Sequence, residues 1–159
     1  MTNNRVRPAR VDEAAELTEI AVRATKNDGY NDDVIARFMP GLRINLPLVA
    51  AGLVFVAEGE SGIRQGWVAA RPTGIGGYIL LDSIFVDPAF SRRGVGTRLF
   101  AAAVEISRKM AGNVILINAN PNAVGFYVRL GAKRIGATPF VFSPDVKLSM
   151  FAFEIPPGV

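Results

Sequence analysis

The stretch Ser91-Arg92-Arg93-Gly94-Val95-Gly96-Thr97 directly follows the apolar run Ile84-Phe85-Val86 and directly precedes a helical pattern from Arg98 to Met110. A strand, a glycine-bearing basic turn and a helix start, in that order, make an anion site. The first turn of a helix leaves about four backbone N–H groups without intrahelical partners and concentrates roughly half a positive charge there. Phosphate is the natural guest. Gly94 and Gly96 carry no Cβ, so the backbone can approach a pyrophosphate closely, and Arg92 and Arg93 add permanently charged donors at its rim. Taken alone, the same two glycines serve equally well for tight helix–strand packing.

Two familiar phosphate motifs are excluded. The dinucleotide fingerprint needs a third glycine where Leu99 stands, and a Walker loop needs a Gly-Lys-Ser/Thr ending that Gly96-Thr97-Arg98 does not supply. Cysteine and histidine are both absent. That removes disulfides, the usual zinc sites, cysteine nucleophiles and histidine bases. Any reaction must use carboxylates, tyrosine, serine, lysine, backbone dipoles or a bound co-substrate. No metal site is expected.

The 159 residues suit one domain, 1–159, with one core; half are hydrophobic and a fifth charged. No apolar run approaches the ~20 residues that span a bilayer, and the N-terminus lacks the apolar segment of a secretory signal. The expectation is a soluble, cytoplasmic protein with no membrane partner. The net charge of +4 comes from basic residues scattered among acids, so no nucleic-acid partner is expected.

Spacing predicts the elements that position the turn. Arg5–Pro8 reads as a strand, and Val11–Thr25 as a helix with Val11, Ala14, Leu17, Ala21 and Ala24 inward and Asp12 and Glu13 at its positive end. Asn31-Asp32-Asp33 caps a second helix ending near Pro40, and residues 41–52 have room for a further short one. From Leu53 the period becomes that of strands: Leu53–Glu58, Ile63–Arg71 and Tyr78–Val86 form an antiparallel meander. The helix after the glycine turn has Leu99, Ala102, Ala103, Ile106 and Met110 on one stripe. Val114–Ala119 is a buried strand, parallel to Tyr78–Val86 through a right-handed crossover. A helix over Pro121–Leu130 and strands over Lys133–Ala137 and Val146–Glu154, around a loop with Pro139 and Pro144, complete the chain.

The segment Asn120-Pro-Asn-Ala123-Val-Gly-Phe126-Tyr127-Val-Arg-Leu-Gly131 follows the second parallel strand. Together with the glycine turn it resembles the GCN5-related N-acetyltransferase (GNAT) family, on Gly94, Gly96, Asn120, Ala123, Phe126, Tyr127 and Gly131. Two positions depart from the pattern: Ser91 stands where the family has a basic residue, and Ala132 where it has phenylalanine. The fold implied is α/β (α+β): a mixed, mostly antiparallel sheet of six to seven strands with helices on both faces. Its order is strand, two helices, three strands, helix, strand, helix, two strands.

The resemblance also implies a reaction, the transfer of an acetyl group from acetyl-CoA, as co-substrate, to a primary amine of a small molecule or peptide. The fourth and fifth strands would splay at a bulge, with the pantetheine arm pairing along Ile84, Phe85 and Val86. The diphosphate would lie on Arg92, Arg93, Gly94, Val95, Gly96 and Thr97, with Asn120 and Phe126 beside the co-substrate. Asn120 would look the same as a simple helix cap. Tyr127 would protonate the leaving thiolate, the alternative being a packed aromatic. Without histidine, the proton acceptor for the amine is expected to be a carboxylate: Asp82 first, then Glu58, although Asp82 fits a satisfied strand-end acid as well. Tyr30, with Asp28, Asp32 and Asp33, would cover the acceptor and read a cationic substrate; the same acids also suit a solvated helix start. A homodimer is compatible with such a fold. A CoA-binding regulatory domain without turnover is the alternative function.

Overall fold

The computed structural model describes residues 4–158. The first three residues of the stretch read above for a targeting signal lie outside them, as does Val159. Seven strands form one sheet: β1 (Arg5–Pro8), β2 (Val54–Glu58), β3 (Arg64–Pro72), β4 (Tyr78–Val86), β5 (Val114–Ala119), β6 (Lys133–Phe140) and β7 (Ser143–Glu154). Their order is β1-β2-β3-β4-β5-β7-β6, antiparallel throughout except for the parallel pair β4 and β5. Five helices connect them: α1 (Ala14–Asn27), α2 (Asp32–Leu42), α3 (Leu46–Ala50), α4 (Val95–Lys109) and α5 (Val124–Arg129).

Strand alternation splits the interior into two layers. On β2 and β3, Val54, Val56, Trp67 and Ala69 pack with Leu17, Ile20 and Phe38 from α1 and α2. Ala57 and Val68, pointing the other way, pack with Leu99, Phe100 and Ala103 from α4. Helices therefore cover both faces, as a strand period of two requires of a sheet buried on both sides. The Trp67 indole N–H donates to the Leu17 carbonyl at 2.7 Å, which ties α1 across the central strand.

Several elements differ from expectation, each for a local reason. A 3₁₀ turn over Val11–Glu13 precedes α1 and changes the helical phase, so Val11 is 60% exposed and Leu17, Ile20, Ala21 and Thr25 are the buried set. Glu13 does not face solvent at a helix end. It is 2% exposed, gripped by both terminal nitrogens of Arg7 at 2.9 and 2.7 Å, by Arg64 Nε at 2.7 Å and by the Arg10 backbone N–H at 2.8 Å. On α4, which starts at Val95, the buried stripe keeps Leu99 and Ala103 but turns toward Phe100, Val104 and Ser107. Pro40 lies inside the last turn of α2 rather than ending it. Pro139 and Pro144 stand within the β6–β7 hairpin, not in a loop. β6 is an outer strand, where a missing N–H costs no ladder bond.

Candidate functional site

β4 and β5 run side by side only from Tyr78 opposite Val114 to Leu81 opposite Ile117. Beyond that point β4 stays with β3 as far as Val86, while Asn118 and Ala119 stay with β7. The separation begins at a bulge. Ser83 faces Ala69 and Leu81 faces Ala70, which makes Asp82 the extra residue. A strand bent at this point leaves β5, and a gap opens between Ser83–Val86 and Asn118–Ala119.

At the far end of β4 the buried carboxylate of Asp87 accepts from Arg23 at 2.7 Å and from the Ala89 N–H at 3.1 Å, which turns the chain toward α4. The basic turn follows. Arg92 at φ 62° and Gly94 at φ 77° adopt left-handed backbone, the curl from which concave N–H nests are built. Gly94 is the N-cap of α4, and a Cβ there would meet nothing nearer than Arg98 Nη1 at 3.8 Å. Backbone shape, not crowding, requires glycine at this position. Gly96 is the opposite case, because a Cβ there would stand 3.2 and 3.3 Å from the Phe126 ring. The two glycines are thus required for different reasons, backbone conformation at Gly94 and space beside the Phe126 ring at Gly96. Arg98 braces the turn from behind, donating through Nη1 to the Arg93 carbonyl at 3.4 Å and through Nη2 to Gln65 Oε1 at 3.2 Å.

Two cavities flank the gap. The smaller, about 350 Å³, is lined by Ile84 and Val86 of β4, by Phe90, by Arg92 and residues 94–97 of the turn, and by Phe126 and Arg129 of α5. The larger, about 670 Å³, lies toward α2 and the β6–β7 hairpin; Tyr30, Phe38, Phe85, Phe140 and Phe142 make it aromatic. Ile84, Ala123 and Tyr127 line both. Tyr127 is 3% exposed and packs edge-on to Phe126 and Phe100, with ring centroids 5.1 and 6.3 Å away. Burial pushes its phenol well above the usual tyrosine range. It keeps its proton at any pH near neutrality.

The sequence-derived residues divide between the two cavities. Ile84, Val86, Arg92, Gly94, Val95, Gly96, Thr97, Phe126 and Tyr127 meet around the smaller one. Phe85 points the other way, as strand alternation demands, and lies against Trp67 in the wall of the larger. Asn120 also lines the larger cavity, not the smaller, because its side chain turns back to accept the Asn122 N–H at 3.0 Å. Arg93 lines neither and sits over the Phe90 ring at 5.7 Å. Tyr30 and Asp82 both line the larger cavity.

The remaining acids do not join them. Glu58 is held by Arg5 at 2.7 Å and Arg7 at 2.8 Å, away from both cavities. Asp28, Asp32 and Asp33 line neither, although Asp28, itself pushed up by burial, joins burial in raising the Tyr30 phenol. Three arginines escaped the sequence reading: Arg129 in the smaller cavity, Arg43 and Arg71 in the larger. Arg129 had a signal, since it stands one helical turn after Phe126. Arg71 had none, because its place opposite Leu80 and beside the bulge follows only from the strand register. Among the described residues no group of three or more acidic, cysteine or histidine side chains is placed to hold a metal ion. Nor is any helix long and apolar enough to cross a membrane.

The family model of the acetyltransferase (GNAT) domain matches residues 50–131, from the end of α3 through the glycine turn to Gly131. The chain belongs to the GNAT acetyltransferase family. No curated protein matches the sequence. Among solved structures with this fold is the PaiA N-acetyltransferase of Thermoplasma acidophilum in complex with coenzyme A, at 16% identity and a TM-score of 0.76, covering 96% of this chain and 99% of that one. YncA of Salmonella typhimurium, a putative acetyltransferase with acetyl-CoA, shares 18% identity at a TM-score of 0.71 over 99% of this chain and 96% of its own. The ribosomal-protein-S18-alanine N-acetyltransferase of Escherichia coli shares 15% at 0.66 over 98% and 96%. At these identities the likeness is one of family fold.

Proposed function

We propose that the chain transfers the acetyl group of acetyl-CoA to a primary amine of a small molecule by direct attack in a ternary complex. The carrying observation is the meeting of two cavities, one beside a basic glycine turn and one aromatic, at the buried hydroxyl-bearing Tyr127. The residues present fit acetyl-CoA. The left-handed turn at Arg92 and Gly94 and the start of α4 offer backbone donors to a diphosphate, and Arg92 and Arg129 supply charge where Ser91 cannot. The stretch of β4 that has left β5, around Ile84 to Val86, has a strand edge to offer the amides of a pantetheine arm. The neighbours that carry acetyl-CoA or coenzyme A on the same fold support this reading.

The amine arrives as an ammonium and gives one proton to Asp82, directly or through water. Its nitrogen then attacks the thioester carbonyl, a C–N bond forms and the C–S bond breaks. A backbone N–H of β4 facing the gap can hold the oxyanion, a contribution of about 3 kcal/mol. Tyr127 protonates the departing thiolate and regains a proton from the nitrogen through water. The sum is ammonium plus acetyl-CoA giving amide, free thiol and one proton.

Incubation with acetyl-CoA and a panel of amines, amino acids, polyamines and peptides, followed by thiol titration, tests the proposal. Thiol release that depends on an acceptor is expected. Its absence with every acceptor, beside thermal stabilisation by coenzyme A, would identify a CoA-binding domain without turnover.

A further inference from the structure

The larger cavity carries a charge pattern that argues against a polycationic acceptor. Among its described lining residues only three are charged, Arg43, Arg71 and Asp82, and two of these are cations. The acids on the loop before α2 and on its first turn, Asp28, Asp32 and Asp33, do not reach it. A polyamine or aminosugar would bring several positive charges to one carboxylate and two guanidinium groups.

The one carboxylate and one of the guanidiniums form a half-used pair. Arg71 Nε donates to Asp82 Oδ1 at 2.9 Å, and among the described residues Asp82 Oδ2 and the terminal nitrogens of Arg71 make no other hydrogen bond, so both keep capacity to spare. A neighbouring acceptor and donor of opposite charge, set in a cavity wall, match a zwitterion. An ammonium goes to Asp82 and a carboxylate to Arg71. Arg43, the C-cap of α2, also lines the cavity and gives its charged lining a net positive balance. The remainder of the cavity is apolar and aromatic: Phe38 packs edge-on to Tyr30 at 5.1 Å and to Phe140 at 4.8 Å, and Phe142 extends the cluster.

Resting on the acetyl-transfer reading above, we infer that the acceptor is the α-amino group of a free amino acid with a bulky apolar side chain. Asp82 receives its ammonium, Arg71 fixes its carboxylate, and the aromatic wall takes the side chain. The α-nitrogen loses a proton to Asp82 and attacks the thioester carbonyl; the C–N bond forms as the C–S bond breaks, the thiolate leaves protonated by Tyr127, and the product is an N-acetyl amino acid with its carboxylate intact.

The test compares L-phenylalanine with L-phenylalaninamide, spermidine and a short peptide as acceptors, by thiol release from acetyl-CoA. The free acid is expected to exceed its amide at least about tenfold in kcat/KM, the scale of one hydrogen bond to a charged group. Arg71→Gln is expected to bring that ratio toward one, chiefly through a higher KM for the acid, with Arg71→Lys between the two. Coenzyme A affinity of each variant reports whether it is folded. If the amide or spermidine matches the free acid in the unaltered protein, or if the ratio survives Arg71→Gln, the zwitterion assignment is overturned while acetyl transfer stands. Release with none of the four, nor with any other amine, overturns both. The comparison in the unaltered protein decides the matter even where Arg71→Gln fails to fold.

Discussion

At Tyr127 burial and the proposed chemistry coincide. The ring fills a slot between Phe126, Phe100 and Phe151, and the same burial that fixes it keeps its phenol protonated. Tyr127→Phe keeps the ring and deletes the proton. Turnover is expected to fall on the order of a hundredfold, with coenzyme A affinity unchanged within about twofold, measured by steady-state kinetics and by calorimetry. Equal turnover at all pH values would remove Tyr127 as the general acid. Packing by itself does not choose between a catalytic and a packed tyrosine, the two readings open in the sequence, since the residue is packed and also reaches both cavities. What the sequence could not yield was Arg71. No motif marks it, and its nearness to Asp82 exists only because a bulge shifts β4 by one residue against β3.

The turn from β4 to α4 is the element in which sequence and structure agree most closely, yet its two glycines answer to different forces. Gly94→Ala places a Cβ on left-handed backbone with space around it, so the expected loss is about 1 kcal/mol of stability. Gly96→Ala instead presses on Phe126, which lines the smaller cavity. Thermal melts with and without coenzyme A separate the two: Gly94→Ala should lower the melting temperature by several degrees, and Gly96→Ala should chiefly shrink the stabilisation that coenzyme A confers. A Gly96→Ala protein stabilised as fully as the unaltered one would detach Phe126 from ligand binding. Strand and helix types were legible because period and turn residues are local. Helix phase was not: the burial of Phe100 and Val104, and the exposure of Val11, follow from where α4 and a 3₁₀ turn begin, to within one residue.

Across the whole molecule, the ion cluster joining β1, β3 and the entry to α1 is expected to contribute to acid stability. Arg7, first, then Arg64 and the Arg10 N–H hold the Glu13 carboxyl down from 4.5 to about 2 against the opposing effect of burial. A depressed folded-state value contributes stability that is present above the unfolded value and lost as the pH falls toward the folded one. Urea unfolding should therefore show stability declining between pH 4.5 and 2, by on the order of 3 kcal/mol from this group. Glu13→Gln should flatten that slope and destabilise the protein near neutrality, because Arg7 and Arg64 lose their shared partner. A slope unchanged by the substitution would place the acid sensitivity elsewhere. The sequence showed Glu13 as a helix-end acid; only the folding together of strands far apart in the chain makes it the centre of a cluster.

The bulge at Asp82 divides one strand between two masters. Up to Leu81, β4 is paired on both sides, and a change there is felt as a change in how firmly the sheet holds together. From Ser83 onward one side is released, and under the proposed function a change there is expected to be felt as a change in what the protein can grip and how fast it turns over. On that reading the nine residues of this strand answer to two unlike demands, sheet integrity in the first half and specificity in the second.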